Sequence, residues 1–255
     1  MTAPRPSAPP MPPNTSQAGD AEFDARLAAT LDLERVTATL GGHLPQDVVA
    51  ALLRSPRLRS RTLALIFRER MGPASDAWLK NPIVACLLDG PATRRRLAGL
   101  CGATLHARTI RMVVDARALR DMIARLDLTH AMLRFALKEG EHTPPGVALS
   151  QGCDPVEDIL ASGWQVLATW RDRVPRPLAA RLSLVFPAGH AFNGAGNPAV
   201  GALAPDVAGR AADFLMEAQR NAAPAPPQPE TQAGGVHTGT RAATADPAPD
   251  ETPLP

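Results

Sequence analysis

Apolar side chains recur along the middle of the chain at the spacing of an amphipathic helix. The clearest stripe contains Leu119, Met122, Ile123 and Leu126, which follow the i, i+3, i+4, i+7 pattern of one helix face. Asp115 precedes the stripe and can serve as its N-cap. Further apolar positions extend the pattern towards residue 140, so the spacing predicts a helical region over about residues 115–140.

The strongest local signal for a helix start lies at residues 154–157. Asp154 is a suitable N-cap, Pro155 suits the first helical position, and Glu157 follows as the third helical residue. Before this signal, residues 140–153 contain two prolines and three glycines and are expected to form a loop. After it, an apolar face continues the predicted helix, with members Val156, Ile159, Leu160, Trp164 and Leu167.

The same spacing predicts further helices, whose ends are marked by Gly and Pro. We expect them at about 23–41, 45–54, 63–71, 91–105, 177–186 and 205–220, with a break near Gly102 and a Gly-rich loop at 187–203. For residues 83–88, periodicity alone does not separate a helix from a short buried strand. No repeat of fixed period links these segments, so the predicted fold is an all-α, compact multi-helix domain.

Composition separates the ends of the chain from its middle. The chain has 255 residues and is 45% hydrophobic, which is sufficient for a substantial core. Residues 1–20 and 221–255 are rich in Pro and Ala and have few large apolar side chains, so they are predicted to be disordered tails. The helical domain is expected over residues 21–220. No segment has the apolar length of a membrane span.

The sequence shows no pattern typical of catalysis, cofactor binding or metal binding. It lacks a G-x-S-x-G turn and any H-E-x-x-H spacing, and residues 189–196 lack the ending of a phosphate-binding loop. Cys86, Cys101 and Cys153 are widely spaced and are expected to be buried, reduced side chains. We therefore predict no catalytic, cofactor-binding or metal-ligating residues.

Two arginine clusters are the most distinctive polar feature. They contain, respectively, Arg54, Arg57, Arg59, Arg61, Arg68 and Arg70, and Arg94, Arg95 and Arg96. Solvated helix faces are one interpretation, and a docking surface for an acidic partner is the other, because arginine forms bidentate contacts with carboxylates. The formal net charge of only +2 argues against general nucleic-acid binding. Arg57, Arg59, Arg61, Arg68, Arg94, Arg95 and Arg96 are the candidate partner-binding residues.

About residues 75–190 resemble the SctK (YscK-like) proteins of bacterial type III secretion systems. The resemblance consists of the placement of Leu, Gly and Arg in motifs that include Leu87-Leu88-Asp89, Leu97-Ala98-Gly99-Leu100-Cys101-Gly102-Ala103-Thr104-Leu105-His106, Ile110-Arg111, Val114-Asp115, Leu119-Arg120, Phe135-Ala136-Leu137 and Arg181-Leu182-Ser183-Leu184-Val185-Phe186-Pro187. The long Pro-rich ends are not part of this pattern.

The resemblance implies a cytoplasmic, non-enzymatic adaptor of the sorting platform. Such a protein lies between the inner-membrane ring and the pods that carry the ATPase, where it contacts the cytoplasmic domain of the SctD-type ring protein and the SctQ-type pod protein. Two alternatives stay open from the residues themselves. One is a helical enzyme or regulator with an unrecognised site, and the other is a secreted effector or the chaperone of one.

Overall fold

The computed structural model describes residues 16–31, 36, 45–67, 71–72, 75–142, 154–187 and 198–222. Every regular element in these residues is helical, which confirms the all-α prediction for this part of the chain. The α-helices are α1 (Ser16–Ala29), α2 (Gln46–Arg54), α3 (Pro56–Ile66), α4 (Pro82–Asp89), α5 (Pro91–Leu105), α6 (Ala107–Arg111), α7 (Ala116–Arg125), α8 (His130–Glu139), α9 (Pro155–Arg171), α10 (Arg176–Ser183) and α11 (Pro198–Ala222). Short 3-10 turns lie at Asp76–Lys80 and Gly140–His142.

Helix α5 is the centre of the fold. All of its residues from Leu97 to Leu105 are buried. It packs most extensively against α9 and also contacts α4, α8 and α11. A helix covered on all sides must be apolar around its whole circumference, which explains why Leu, Ala, Gly and Cys occupy this stretch.

Two glycines allow α5 and α9 to approach each other closely. A Cβ atom on Gly102 would lie 1.9 Å from the carbonyl oxygen of Ile159, and one on Gly163 would lie 1.8 Å from that of Ala98. No real Cβ atom tolerates such distances, so only glycine fits at either position. The predicted break near Gly102 is therefore wrong, because this glycine lies inside α5 and is required by the neighbouring helix.

The region predicted to be helical from 115 to 140 forms two helices, α7 and α8. The Asp115 carboxylate accepts a hydrogen bond from the Arg117 amide, which confirms the predicted cap. Asp127 then ends α7 with a positive φ of 55°, and the Leu128 amide donates back to the Ile123 carbonyl at 3.0 Å. This is the Schellman arrangement that stops a helix. Thr129 accepts from the Met132 amide and starts α8.

The predicted start of α9 is confirmed. The Asp154 carboxylate accepts from the Val156 amide at 3.0 Å, and Pro155 is the first helical residue. The Arg125 guanidinium also donates to Asp154, so the pKa of this carboxyl is held below its usual range by the Arg125 hydrogen bond first and the Val156 amide second. All five residues of the predicted apolar face are buried.

Helix α11 begins earlier than predicted. It starts at Pro198, although residues up to 203 were expected to form a loop, and it continues through Pro205. Proline has no amide hydrogen and cannot donate to the carbonyl four residues before it. In the structure the Arg173 guanidinium donates to this carbonyl, that of Gly201, at 2.7 Å. An arginine from outside the helix thus replaces the hydrogen bond that Pro205 cannot make.

Several other boundaries differ from the predictions. Helix α1 begins at Ser16, inside the tail predicted for residues 1–20, and ends at Ala29 rather than near residue 41. Residues 83–88 belong to helix α4. The other residues of the two predicted tails, 1–15 and 223–255, lie outside the described residues. In the described ranges, no helix has both the length and the apolar character needed to cross a membrane.

Candidate partner-binding surfaces

The first candidate residue, Arg94, is an interior residue. Its side chain is only 6% exposed, and its guanidinium donates to three main-chain carbonyls. These belong to Leu87 at 2.7 Å, Val185 at 2.9 Å and Thr30 at 2.9 Å. The prediction that Arg94 belongs to an exposed docking patch is therefore wrong.

The positions of these three carbonyls explain the burial of Arg94. Leu87 lies in the last turn of α4, Thr30 directly follows α1, and Val185 follows α10. The last carbonyls of a helix lack partners within it and carry the negative end of the helix dipole. One guanidinium provides donors for three such helix ends, so Arg94 joins α1, α4 and α10 to α5.

Arg95 and Arg96 lie nearer the surface and also contact helix ends. The exposed Arg95 donates to the carbonyl of Arg125 at 2.9 Å, in the last turn of α7. Arg96 is half-buried and forms an ion pair with Asp127 at 2.9 Å. Both side chains thus hold the end of α7 against α5, and the cluster 94–96 is not the uniform solvated patch that its sequence predicts.

Arg181 is a second buried arginine. Its side chain is 2% exposed, pairs with Asp24 of α1 at 3.1 Å, and donates to the carbonyl of Gly72 at 2.8 Å. The guanidinium also lies over the rings of Phe67 and Trp78. Arg181 therefore attaches α10 to α1 and to the residues that follow α3.

The other predicted cluster is divided by the fold. Arg57 and Arg61 are exposed on α3, whereas Arg59 is turned inwards and donates to the carbonyl of Ala28. Arg68 and Arg70 lie outside the described residues. Arg57 and Arg61 are thus presented to solvent as the docking interpretation requires, and Arg59 is a structural residue.

Only Ser55 separates helices α2 and α3. We call the exposed surface on these two helices the basic corner and define it by Val48, Arg54, Arg57, Leu58 and Arg61. All five side chains are exposed, including Leu58 at 44% and Val48 at 38%. Within the described residues, none of the three arginines forms an ion pair. The basic corner therefore combines exposed apolar surface with arginines that pair with no carboxylate of the described residues.

Local composition makes the basic corner stand out. Residues 45–67 contain four arginines and one aspartate, a formal charge of +3, whereas the whole chain carries +2. Positive charge is thus concentrated in this pair of helices.

A cleft of about 210 Å³ lies beside the basic corner, between α1 and α2, and Arg54 and Arg59 are among its lining residues. Ligand pockets are usually larger, at roughly 300–1,000 Å³.

His106 is a buried side chain whose type could serve in acid–base chemistry. His106 lies between α5 and α9, where its Nε2 and the Ser162 hydroxyl are 2.8 Å apart. Burial lowers the pKa of His106, and the charge of Asp158 opposes this shift. The imidazole is therefore held neutral and its position fixed, as expected for a structural histidine.

Both described cysteines are inert thiols. Burial raises the pKa of Cys86 to about 12, with smaller contributions from Asp89 and Asp213, and burial also raises the pKa of Cys101. A thiol with a raised pKa stays protonated and is a poor nucleophile. Their predicted burial is confirmed, and Cys153 lies outside the described residues. In the part of the chain that the structure describes, no cluster of His, Cys, Asp or Glu side chains could hold a metal ion.

Comparisons of the chain with protein-family models, curated proteins and solved structures find no match. The fold and the surface geometry are therefore the features from which a function must be argued.

The structure also exposes apolar residues that the sequence did not identify as a surface. Met112 and Val114, between α6 and α7, are 79% and 94% exposed. The sequence predicts one short apolar patch from Ile110, Val113 and Val114, yet of these three only Ile110 is buried. The N-cap at Asp115 could have indicated that Met112 and Val114 are exposed. Residues just before an N-cap belong to the connection between two helices, and such connections run over the surface.

Proposed function

We propose that the chain is a non-enzymatic adaptor of a bacterial type III secretion system. It would act in the cytoplasm, recruited to the inner-membrane face of the apparatus, and would bridge the SctD-type ring protein and the SctQ-type pod protein. Support comes from the resemblance of residues 75–190 to SctK proteins. That resemblance falls on α4 to α10, which include α5 and most of the helices packed against it.

The observation that carries the proposal is the exposed basic corner. A near-neutral protein does not require, for solubility, three arginines near Leu58 that form no ion pair with the described residues. Such a surface can recognise an acidic partner without promoting non-specific binding, because charge complementarity governs specificity and association rate. A rim of arginines around exposed apolar side chains also matches the composition of protein interfaces.

The test is a binding measurement with each proposed partner. Arg57→Glu/Arg61→Glu should weaken one partner by about tenfold or more at low salt, because it places negative charge where an acidic surface docks. Arg176→Glu/Arg220→Glu is the matched control, since both arginines are exposed and the change in net charge is the same. The control should bind both partners as the native chain does.

The outcomes separate the proposal from its alternatives. If the native chain binds neither the ring protein nor the pod protein, the adaptor function must be abandoned. Accumulation of the protein in the culture supernatant of a secreting bacterium would instead indicate an effector. If both variants bind equally well, the adaptor function stands but the basic corner is not its contact.

A further inference from the structure

The connection between α6 and α7 presents the two most exposed large apolar side chains in the described residues, Met112 and Val114. They flank Val113, which is partly buried against the core. Exposed apolar side chains are common singly, but two that protrude side by side from one short connection are not expected from solubility alone.

This connection is held firmly in place. The amides of Met112 and Val113 donate to the carbonyls of Thr109 and Ile110, each at 3.1 Å. Arg111 donates to the carbonyl of Leu137, in the last turn of α8, and forms an ion pair with Glu141. The exposure of Met112 and Val114 is therefore a property of a preorganised surface, which lowers the entropic cost of binding.

Three exposed arginines lie close in sequence to the two apolar side chains. Arg108 on α6 and Arg117 and Arg120 on α7 are exposed, and in the described ranges none of the three forms an ion pair. The nearby carboxylates are engaged elsewhere. Asp115 caps α7, Asp121 lies within ion-pair range of Arg125, and Glu141 pairs with Arg111.

We propose that this surface, defined by Arg108, Met112, Val114, Arg117 and Arg120, is a second docking site that binds an acidic segment of a partner protein. Met112 and Val114 would enter an apolar hollow of that partner, while the three arginines would pair with carboxylates around it. We call it the α6–α7 surface. Three exposed arginines that form no ion pair with the described residues give this surface a charge that complements an acidic protein segment.

The inference rests on the proposed adaptor function and deepens it, because a bridge requires two contacts. The basic corner and the α6–α7 surface are held in place by different arginine contacts. Arg59 attaches α3 to the end of α1, whereas Arg111 attaches α6 to α8. Two partners can therefore be bound by separate helices, and each site can be altered without changing the other.

The experiment uses two variants of the full chain. Met112→Ser/Val114→Ser removes the apolar contact, and Arg117→Glu/Arg120→Glu reverses the charge. Each should weaken one of the two partners by about tenfold or more and leave the other unchanged. Arg57→Glu/Arg61→Glu is the reciprocal control and should weaken the other partner. Thermal unfolding of each variant should match that of the native chain, because the substituted side chains are exposed.

Three results would overturn the inference, and they differ from one another. If both α6–α7 variants bind both partners with native affinity, the surface is not a docking site, although the adaptor function survives. If the native chain binds neither partner, the adaptor function and this inference both fail. If the variants lose only binding to vesicles of phosphatidylglycerol and phosphatidylcholine, the surface recognises membrane and not an acidic protein.

Discussion

Arg94 and the arginines of the basic corner are the same type of residue in opposite surroundings. Arg94 is buried and donates to carbonyls at the ends of three helices. Arg57 and Arg61 are exposed and, within the described residues, make no ion pair. In the sequence both groups are short arginine clusters on predicted helices, so cluster density does not distinguish a structural role from a binding role.

The difference teaches that unpaired helix ends determine where arginine is used in this protein. Arg94, Arg95 and Arg111 all donate to carbonyls at or beyond the last turns of neighbouring helices. Short helices have many ends relative to their length, and each end needs donors. The many arginines of the core region therefore have a structural explanation, and only those without such an acceptor remain as candidates for partner binding.

The largest effect is expected when the interior arginine is reversed. Arg94→Glu should lower the free energy of unfolding by more than about 3 kcal/mol, because it leaves buried carbonyls without donors and places a carboxylate among them. Urea unfolding would measure this, with Arg95→Glu as the exposed neighbour for comparison. A loss below about 1 kcal/mol would show that Arg94 does not hold the helix ends together.

The next largest effect concerns the crossing of α5 and α9. Gly163→Ala should destabilise the chain by about 1–3 kcal/mol or more, because its Cβ would overlap the Ala98 carbonyl and force the helices apart. Gly209→Ala is the matched control, since nothing lies within 4 Å of a Cβ at this helical position. It should stabilise the chain by about 0.5–1 kcal/mol. Equal effects of the two substitutions on the thermal midpoint would contradict the close crossing.

A smaller effect should appear as a pH dependence from His106. Its pKa is lowered in the folded chain, so the unfolded chain binds a proton that the folded chain does not. Stability is therefore complete above the ordinary histidine pKa of about 6.5 and declines as the pH falls below it. In His106→Gln this part of the decline should disappear, as measured by urea unfolding between about pH 7.5 and pH 5. A decline as steep as that of the native chain would assign it to other groups.

The smallest effect on stability is expected at the basic corner. Arg57→Glu and Arg61→Glu should each change the free energy of unfolding by less than about 0.5 kcal/mol, because both side chains are exposed and form no ion pair with the described residues. The contrast with Arg94→Glu would separate the two groups of arginines in a single series of melting curves. A large destabilisation would mean that Arg57 and Arg61 belong to the fold in the way that Arg59 does.

The sequence predicts those features of the fold that depend on neighbouring residues along the chain. The caps at Asp115 and Asp154 were found in this way, and so were the apolar faces of α7 and α9, because N-caps and helical periodicity are local signals. Contacts between distant segments were not accessible. Nothing near Gly102 in the sequence shows that the Ile159 carbonyl lies against it, and nothing near Pro205 shows that Arg173 supplies the missing donor.

The candidate surfaces were only partly predicted, because the sequence shows charge but not contacts between distant segments. Arg57 and Arg61 were found because charge is visible in the sequence. Arg94 was included wrongly, and the contact of Arg59 with the end of α1 was not foreseen, since the acceptors of both come from helix ends that are distant along the chain. Met112 and Val114 were missed because apolar residues were assigned to the core, although the cap that follows them marks their connection as a surface segment.

Hydrogen exchange of the full chain, alone and with each proposed partner, tests the central claim most directly. The claim is that exposed arginine surfaces bind partners while the arginines around α5 maintain the fold. Amides of α2 and α3 should exchange more slowly with one partner, and those of residues 107–121 with the other. Amides of α5 should be protected equally in all samples. Protection that changes at α5, with α2, α3, α6 and α7 unaffected by either partner, would contradict this account.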